Sequence, residues 1–171
     1  NGYIQYFENV SSGSNLTFTF VEYVENIDLS GNSVPTLGDL DGDEDLDLII
    51  GQLNGSLAYY RNIGNSGQYD FQAISSDDIL VESNSAPELI DSDNDGDLDL
   101  ILGSAREGLY FYQNVYNNFQ FEQSSNIYIS KIGVNTKPAI GQLFDNSTLD
   151  IISGVSTGGL YHIQKENCVS L

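Results

Sequence analysis

Apolar residues in this chain come in short bursts. Leu48-Ile49-Ile50, Leu57-Ala58-Tyr59-Tyr60, Leu100-Ile101-Leu102 and Leu109-Tyr110-Phe111-Tyr112 are each closed within a few residues by Gly, Asn, Ser or Asp. No stretch keeps the three-to-four spacing of an amphipathic helix, whereas short Ile-, Leu- and Tyr-rich runs punctuated every eight to twelve residues or so are the pattern of β-strands. The first complete set of bursts predicts four strands at about residues 34–39, 46–52, 56–63 and 69–75. Consecutive apolar residues in a burst place hydrophobic side chains on both faces of a strand, so the predicted sheets must be covered on both sides.

The same pattern returns at a fixed interval. The three prolines stand in Val34-Pro35-Thr36, Ala86-Pro87-Glu88 and Lys137-Pro138-Ala139, separated by 52 and 51 residues. Each is followed at a similar distance by Asp, apolar residues and Gly: Asp47-Leu48-Ile49-Ile50-Gly51, Asp99-Leu100-Ile101-Leu102-Gly103 and Asp150-Ile151-Ile152-Ser153-Gly154. Asn54 to Asn62 aligns with Arg106 to Asn114 at the same shift, Asn1 to Asn9 is a further copy, and Gly159-Leu160-Tyr161-His162-Ile163 begins a last one. A four-stranded unit repeated about every fifty residues, buried on both faces and opening on a proline at a strand start, predicts an all-β chain of β-propeller blades. Residues 1–33 form a partial blade, 34–85 and 86–136 complete ones, and 137–171 another partial blade, together a single propeller segment. Two complete blades are fewer than a propeller usually needs, so the rest is expected from sequence beyond this stretch, with a three-bladed ring or closure by oligomerisation as alternatives.

Charge narrows the partners. With 25 acidic and 5 basic residues the formal net charge is −20, which argues against nucleic acid or an anionic membrane surface and favours cations. No apolar run reaches the roughly 18 residues of a membrane-spanning helix. Cys168 is the sole cysteine, so no disulfide forms within the chain.

The carboxylates are concentrated in two places, Asp39-Leu40-Asp41-Gly42-Asp43-Glu44-Asp45-Leu46-Asp47 and Asp91-Ser92-Asp93-Asn94-Asp95-Gly96-Asp97-Leu98-Asp99. Asp39, Asp41, Asp43 and Asp47 hold positions 1, 3, 5 and 9 of the first loop, with Asp45 at position 7, where a backbone carbonyl serves. Asp91, Asp93, Asp95, Asp97 and Asp99 repeat the set. Alternate residues of a tight loop turn toward one centre, and Ca²⁺ takes six to eight oxygen ligands from carboxylates, carbonyls and water. An EF-hand requires a bidentate Glu at position 12, but Ile50 and Leu102 stand there. Mg²⁺ prefers one or two carboxylates and retained waters, so the pattern predicts two Ca²⁺ sites. The plainer alternative is a pair of solvated acidic turns, since Asp and Gly favour turns without any metal. In the third loop, Gln142 to Asp150, positions 1, 3 and 5 are Gln142, Phe144 and Asn146, and no metal is expected.

Val34 to Gly51 and Ala86 to Gly103 resemble the FG-GAP and VCBS repeats of integrin-α-like propellers and of many secreted bacterial proteins. The resemblance implies Ca²⁺ held between the first and second strands of a blade, largely for stability, and ligand recognition on propeller faces or inter-blade loops. Glu44 departs from it, standing where Gly is usual, while Gly96 keeps the pattern.

No nucleophile elbow, phosphate-cradling glycine loop or Cys/His zinc spacing occurs, so no catalytic residue is assigned. His162 aligns with Tyr59 and Phe111 and is expected to fill an aromatic core slot. The pairs Tyr6-Phe7, Tyr59-Tyr60 and Phe111-Tyr112 are expected between blades rather than as sugar-stacking platforms. The functional expectation is a Ca²⁺-stabilised scaffold, secreted or on a cell surface, that presents loops to a protein or carbohydrate ligand. An accessory or partial catalytic propeller of a carbohydrate-active enzyme and a purely structural spacer are the alternatives.

Overall fold

The computed structural model describes residues 4–24, 27, 29, 31–65, 68–75, 79–106, 108–115, 117–129, 132–143 and 150–164. Cys168 and most of the third acidic-loop position, 144–149, lie outside them. Among the described residues there is no helix, and none long and apolar enough to cross a membrane.

The strands group into antiparallel sheets connected in chain order. A hairpin of β1 (Gln5–Asn9) and β2 (Phe18–Tyr23) comes first. A four-stranded sheet follows, made of β3 (Val34–Gly38), β4 (Asp47–Gly51), β5 (Leu57–Asn62) and β6 (Phe71–Ile74), and a second is made of β7 (Ala86–Ile90), β8 (Asp99–Gly103), β9 (Leu109–Asn114) and β10 (Phe121–Ile129). The last sheet holds β11 (Lys137–Gly141), β12 (Asp150–Gly154) and β13 (Leu160–Gln164). The chain is all-β, and its four-stranded up-and-down sheets are propeller blades. The strands expected at 34–39, 46–52, 56–63 and 69–75 appear as β3 to β6, each shorter by one to three residues.

Register repeats along with sequence. Val34 pairs with Gly51 and Gly38 with Asp47; Ala86 pairs with Gly103 and Ile90 with Asp99; Lys137 pairs with Gly154 and Gly141 with Asp150. Every first hairpin therefore opens on the residue before a proline and closes on the ninth residue of the loop, which fixes that loop's length and stance.

The core lies between sheets. Because side chains alternate along a strand, Leu48 and Ile50 of β4 pack with Leu29 and Tyr60, while Ile49 and Tyr59 face Leu100, Leu102 and Phe121 of the next blade. Ile101 and Phe111 in turn meet Ile132, with Ile140, Ile151 and Ile163 of the last sheet against them. Full burial of one such aliphatic side chain is worth about 1.5–3 kcal/mol, so these shared interiors hold the blades together. Tyr59, Tyr60 and Phe111 are buried as expected, but Tyr6 and Phe7 are not, since every residue of β1 and β2 is exposed.

A polar latch joins successive blades. Ser85 Oγ accepts from Gln52 N–H at 2.7 Å and donates to Ser56 O at 2.7 Å. One repeat later, Thr136 Oγ1 accepts from Ser104 N–H at 2.9 Å and donates to Gly108 O at 2.7 Å. Each hydroxyl lies two residues before a repeat proline and satisfies the backbone of the preceding blade's turn. The approach is close enough that a Cβ at Gly51 would overlap the carbonyl oxygen of Ser85, and one at Gly103 that of Thr136, whereas a Cβ at Gly154 meets nothing among the described residues. Gly103→Ala is expected to destabilise the chain by about 1–3 kcal/mol through overpacking against backbone that cannot swing aside. Gly154→Ala is the matched control, and equal melting temperatures for the two would refute this account of the junction.

Candidate metal centre

The loop after β3 is built on carboxylate-to-amide bonds. Asp39 Oδ1 accepts from Gly42 N–H at 2.7 Å and its Oδ2 from Glu44 N–H at 3.0 Å, while Asp43 Oδ1 accepts from Asp45 N–H at 3.0 Å. The loop after β7 repeats the arrangement: Asp91 takes Asn94 N–H at 2.7 Å and Gly96 N–H at 3.3 Å, and Asp95 takes Asp97 N–H at 3.1 Å. Folding a nine-residue loop around its first carboxylate bends the chain sharply at positions 4 and 6. Both positions are left-handed in both loops, with φ of 80° at Gly42, 72° at Glu44, 63° at Asn94 and 97° at Gly96. The glycine missing at Glu44 thus leaves an L-residue in a conformation it rarely adopts. Position 4, which makes the same demand, escaped the sequence reading.

Position 9 has a separate role. Asp47 is fully buried; its Oδ2 accepts from Leu40 N–H at 2.9 Å and its Oδ1 from Asn62 N–H at 2.9 Å. Asp99 likewise takes Ser92 N–H at 3.2 Å and Asn114 N–H at 3.0 Å, and Ser92 Oγ–H also donates to it. Each carboxylate therefore ties the start of its loop to the end of the blade's third strand. Asp150 keeps the first of these bonds, accepting from Leu143 N–H at 3.1 Å, although Gln142 stands at position 1 of that loop.

Positions 1, 3 and 5 converge. Asp39, Asp41 and Asp43 place one carboxylate oxygen each within 4.8 Å of one another, and Asp91, Asp93 and Asp95 do the same. Asp45 and Asp97 follow at position 7, and the structure holds Asp47 and Asp99 against the amides, at the edge of the clusters. Among the described residues, Asp41 Oδ1 and Asp97 Oδ1 are buried and meet no hydrogen-bond partner. A buried carboxylate oxygen left unpaired is costly, and a cation is the partner that would relieve it, so the residues present fit a hard, oxygen-loving ion.

Electrostatics agree. Burial raises the Asp41 carboxyl above its ordinary value, against the lowering effect of Arg61, and the nearby carboxylates of Asp43 and Asp39 push the same way as burial. Asp97 is pushed up to about 6 by burial and then by Asp95, Asp99 and Asp93. A carboxyl raised in the fold holds its proton more tightly than in the unfolded chain. For Asp97 that contribution to metal-free stability is present below pH 4 or so and lost as pH rises through about 6.

The third strand also supplies neighbours that the sequence reading passed over. Arg61 Nε lies 2.8 Å from Asp41 Oδ2, a charge pair whose N–H is not aimed along the contact. Gln113 occupies the same place one repeat later, with Nε2 donating to Asp93 Oδ2 at 3.3 Å. Both stand at one register position of the repeat, and that spacing was the available signal.

His162 departs from its expected place. Its register is right, since Ile152 pairs with it as Ile49 pairs with Tyr59 and Ile101 with Phe111. Yet the ring is exposed, and Nε2 lies 2.6 Å from Asp150 Oδ1. The slot that buries Tyr59 and Phe111 is completed by the following sheet, and no described strand follows β13. The imidazole turns to a carboxylate instead.

Residues 39–102 match the FG-GAP-like repeat family, from the first carboxylate of one acidic loop to the strand that follows the other. That span contains both loops, and the similarity inferred from Val34 to Gly51 and Ala86 to Gly103 is borne out across it. No curated protein and no solved structure matches the chain.

Proposed function

We propose that this chain is a calcium-binding β-propeller module, secreted or displayed on a cell surface, that serves as a scaffold for recognition of a protein or glycan. The observation that carries the reading is the convergence of three carboxylates in each of two loops built on the same backbone frame. Asp39, Asp41 and Asp43 hold one ion, and Asp91, Asp93 and Asp95 the other. Asp47 and Asp99 border the two sites with lone pairs beyond those used by backbone amides, and position 7 contributes at Asp45 and Asp97. The ion supplies positive charge where loop carboxylates otherwise repel one another: two unit charges 4 Å apart cost about 4 kcal/mol at an effective dielectric of 20. Calcium-poor cytosol would leave such loops empty, which supports a place outside the cell. The strongly acidic surface argues for a partner that is not nucleic acid.

Calorimetric titration with Ca²⁺ and with Mg²⁺ tests the metal. Two Ca²⁺ per chain are expected, with Mg²⁺ failing to compete at equal concentration. Calcium affinity should fall as pH drops through about 6, because the Asp97 carboxyl, held near that value, must lose its proton beside the ion. Absence of binding heat, or affinity unchanged between pH 5 and 7, would count against this site.

A further inference from the structure

Arg61 distinguishes the two loops. It extends from β5, the third strand of its blade, with its side chain about one-third exposed, and reaches the largely buried carboxylate of Asp41 at 2.8 Å. Two contacts from the neighbouring blade hold it there. Nη2 donates to Asn118 Oδ1 at 3.2 Å, and the guanidinium carbon lies 5.4 Å from the ring centroid of Phe119, itself buried. The guanidinium is thus fixed at the rim of the first cluster by groups outside the loop, an arrangement that lowers the entropy cost of keeping it in place. At the equivalent position of the second loop, Gln113 presents a neutral amide to Asp93 at 3.3 Å. The backbone-amide bonds of the two loop frames otherwise correspond one for one, the second loop adding the Ser92 Oγ–H bond to Asp99.

We propose that Arg61 is a tethered competitor for the first loop, a built-in cation that occupies one carboxylate of the cluster and makes this site the weaker of two unequal calcium sites. The inference rests on the calcium reading above. A divalent ion entering among Asp39, Asp41 and Asp43 meets a positive charge already on Asp41 Oδ2, and must either displace the guanidinium from Asn118 and Phe119 or bind beside it. At contact distances either route lowers affinity by about tenfold or more. The ion entering among Asp91, Asp93 and Asp95 displaces only one neutral hydrogen bond. The second loop therefore fills first, and the first responds at higher calcium.

Reciprocal exchange of the two residues tests this. Calcium affinity is measured by titration calorimetry in two backgrounds of the full chain, Asp95→Ala leaving the first loop and Asp43→Ala leaving the second. The first loop is expected to bind at least tenfold more weakly; Arg61→Gln should tighten it by about tenfold, and Gln113→Arg should weaken the second loop by a similar factor. Because the bond Gln113 makes to Asp93 lies within its own blade, Gln113→Arg keeps the test informative if Arg61→Gln perturbs folding, which circular dichroism in chelator reports. The exchange also separates Arg61 from the strained backbone at Glu44, since neither variant alters that residue. Equal affinities of the two loops, or an Arg61→Gln chain that binds no tighter, overturns the proposal while leaving calcium binding intact. No binding in any background overturns the calcium reading and this proposal with it.

Discussion

Asp47→Ala melts at a temperature on the order of 10 °C below the parent, and does so in chelator, with no calcium present. The carboxylate is fully buried and accepts the backbone amides of Leu40 at 2.9 Å and Asn62 at 2.9 Å. Truncation leaves both amides without partners, and each buried unsatisfied donor costs about 1–3 kcal/mol. In a chain of this size, 1 kcal/mol shifts the melting temperature by roughly 2–4 °C. Asp47→Asn retains one acceptor oxygen but turns an N–H toward the other donor, and falls between the two. Asp43→Ala is the contrast: its carboxylate is exposed and, among the described residues, accepts from Asp45 two residues on, so its loss in chelator is nearly neutral. A melting temperature for Asp47→Ala equal to that of Asp43→Ala in chelator would show that Asp47 has no structural role apart from metal.

That contrast marks where the sequence was legible. Period, strand number and strand limits all followed from proline spacing and apolar bursts, because alternation along a strand and burial on both faces leave a direct imprint on residue type. The loop carboxylates were legible as a set, and the structure divides them. Asp47 and Asp99 look in sequence like further members of an alternating series, yet the hairpin register places them as the first residues of β4 and β8, facing amides of the loop and of a strand fifteen residues on. Only tertiary placement separates a carboxylate that points into the loop from one that points beneath it. Asp150 holds a hint of this, since it persists at position 9 where Gln142 replaces the carboxylate at position 1 and keeps its bond to the Leu143 amide. The role of Arg61 was hidden for a related reason, its repeat position alone being legible: its partners Asp41, Asn118 and Phe119 come from one loop of its own blade and one turn of the next. His162 shows the converse, a residue whose register was read correctly and whose surroundings were not.

Saturating calcium raises the melting temperature of the parent chain by on the order of 10 °C per filled site, and Asp41→Ala combined with Asp93→Ala abolishes the rise. An ion that binds only the folded chain stabilises it by about 4.1 kcal/mol at a thousand times its dissociation constant, and the unfolded chain, with its aspartates dispersed, offers no comparable centre. The double variant removes position 3 from each converging trio and leaves the amide-bound carboxylates of Asp39, Asp91, Asp47 and Asp99 in place. In chelator it should melt close to the parent, because loss of the Arg61 pair and of the Gln113 bond is offset by removal of Asp41, whose ionised form burial disfavours and whose Oδ1 has no partner among the described residues. Loss of the calcium response with undiminished chelator stability assigns these two aspartates to the ion. A parent chain whose melting is indifferent to calcium would sink the metal reading, and the two trios would then be acidic turns whose repulsion the latches and shared cores of the blades simply withstand.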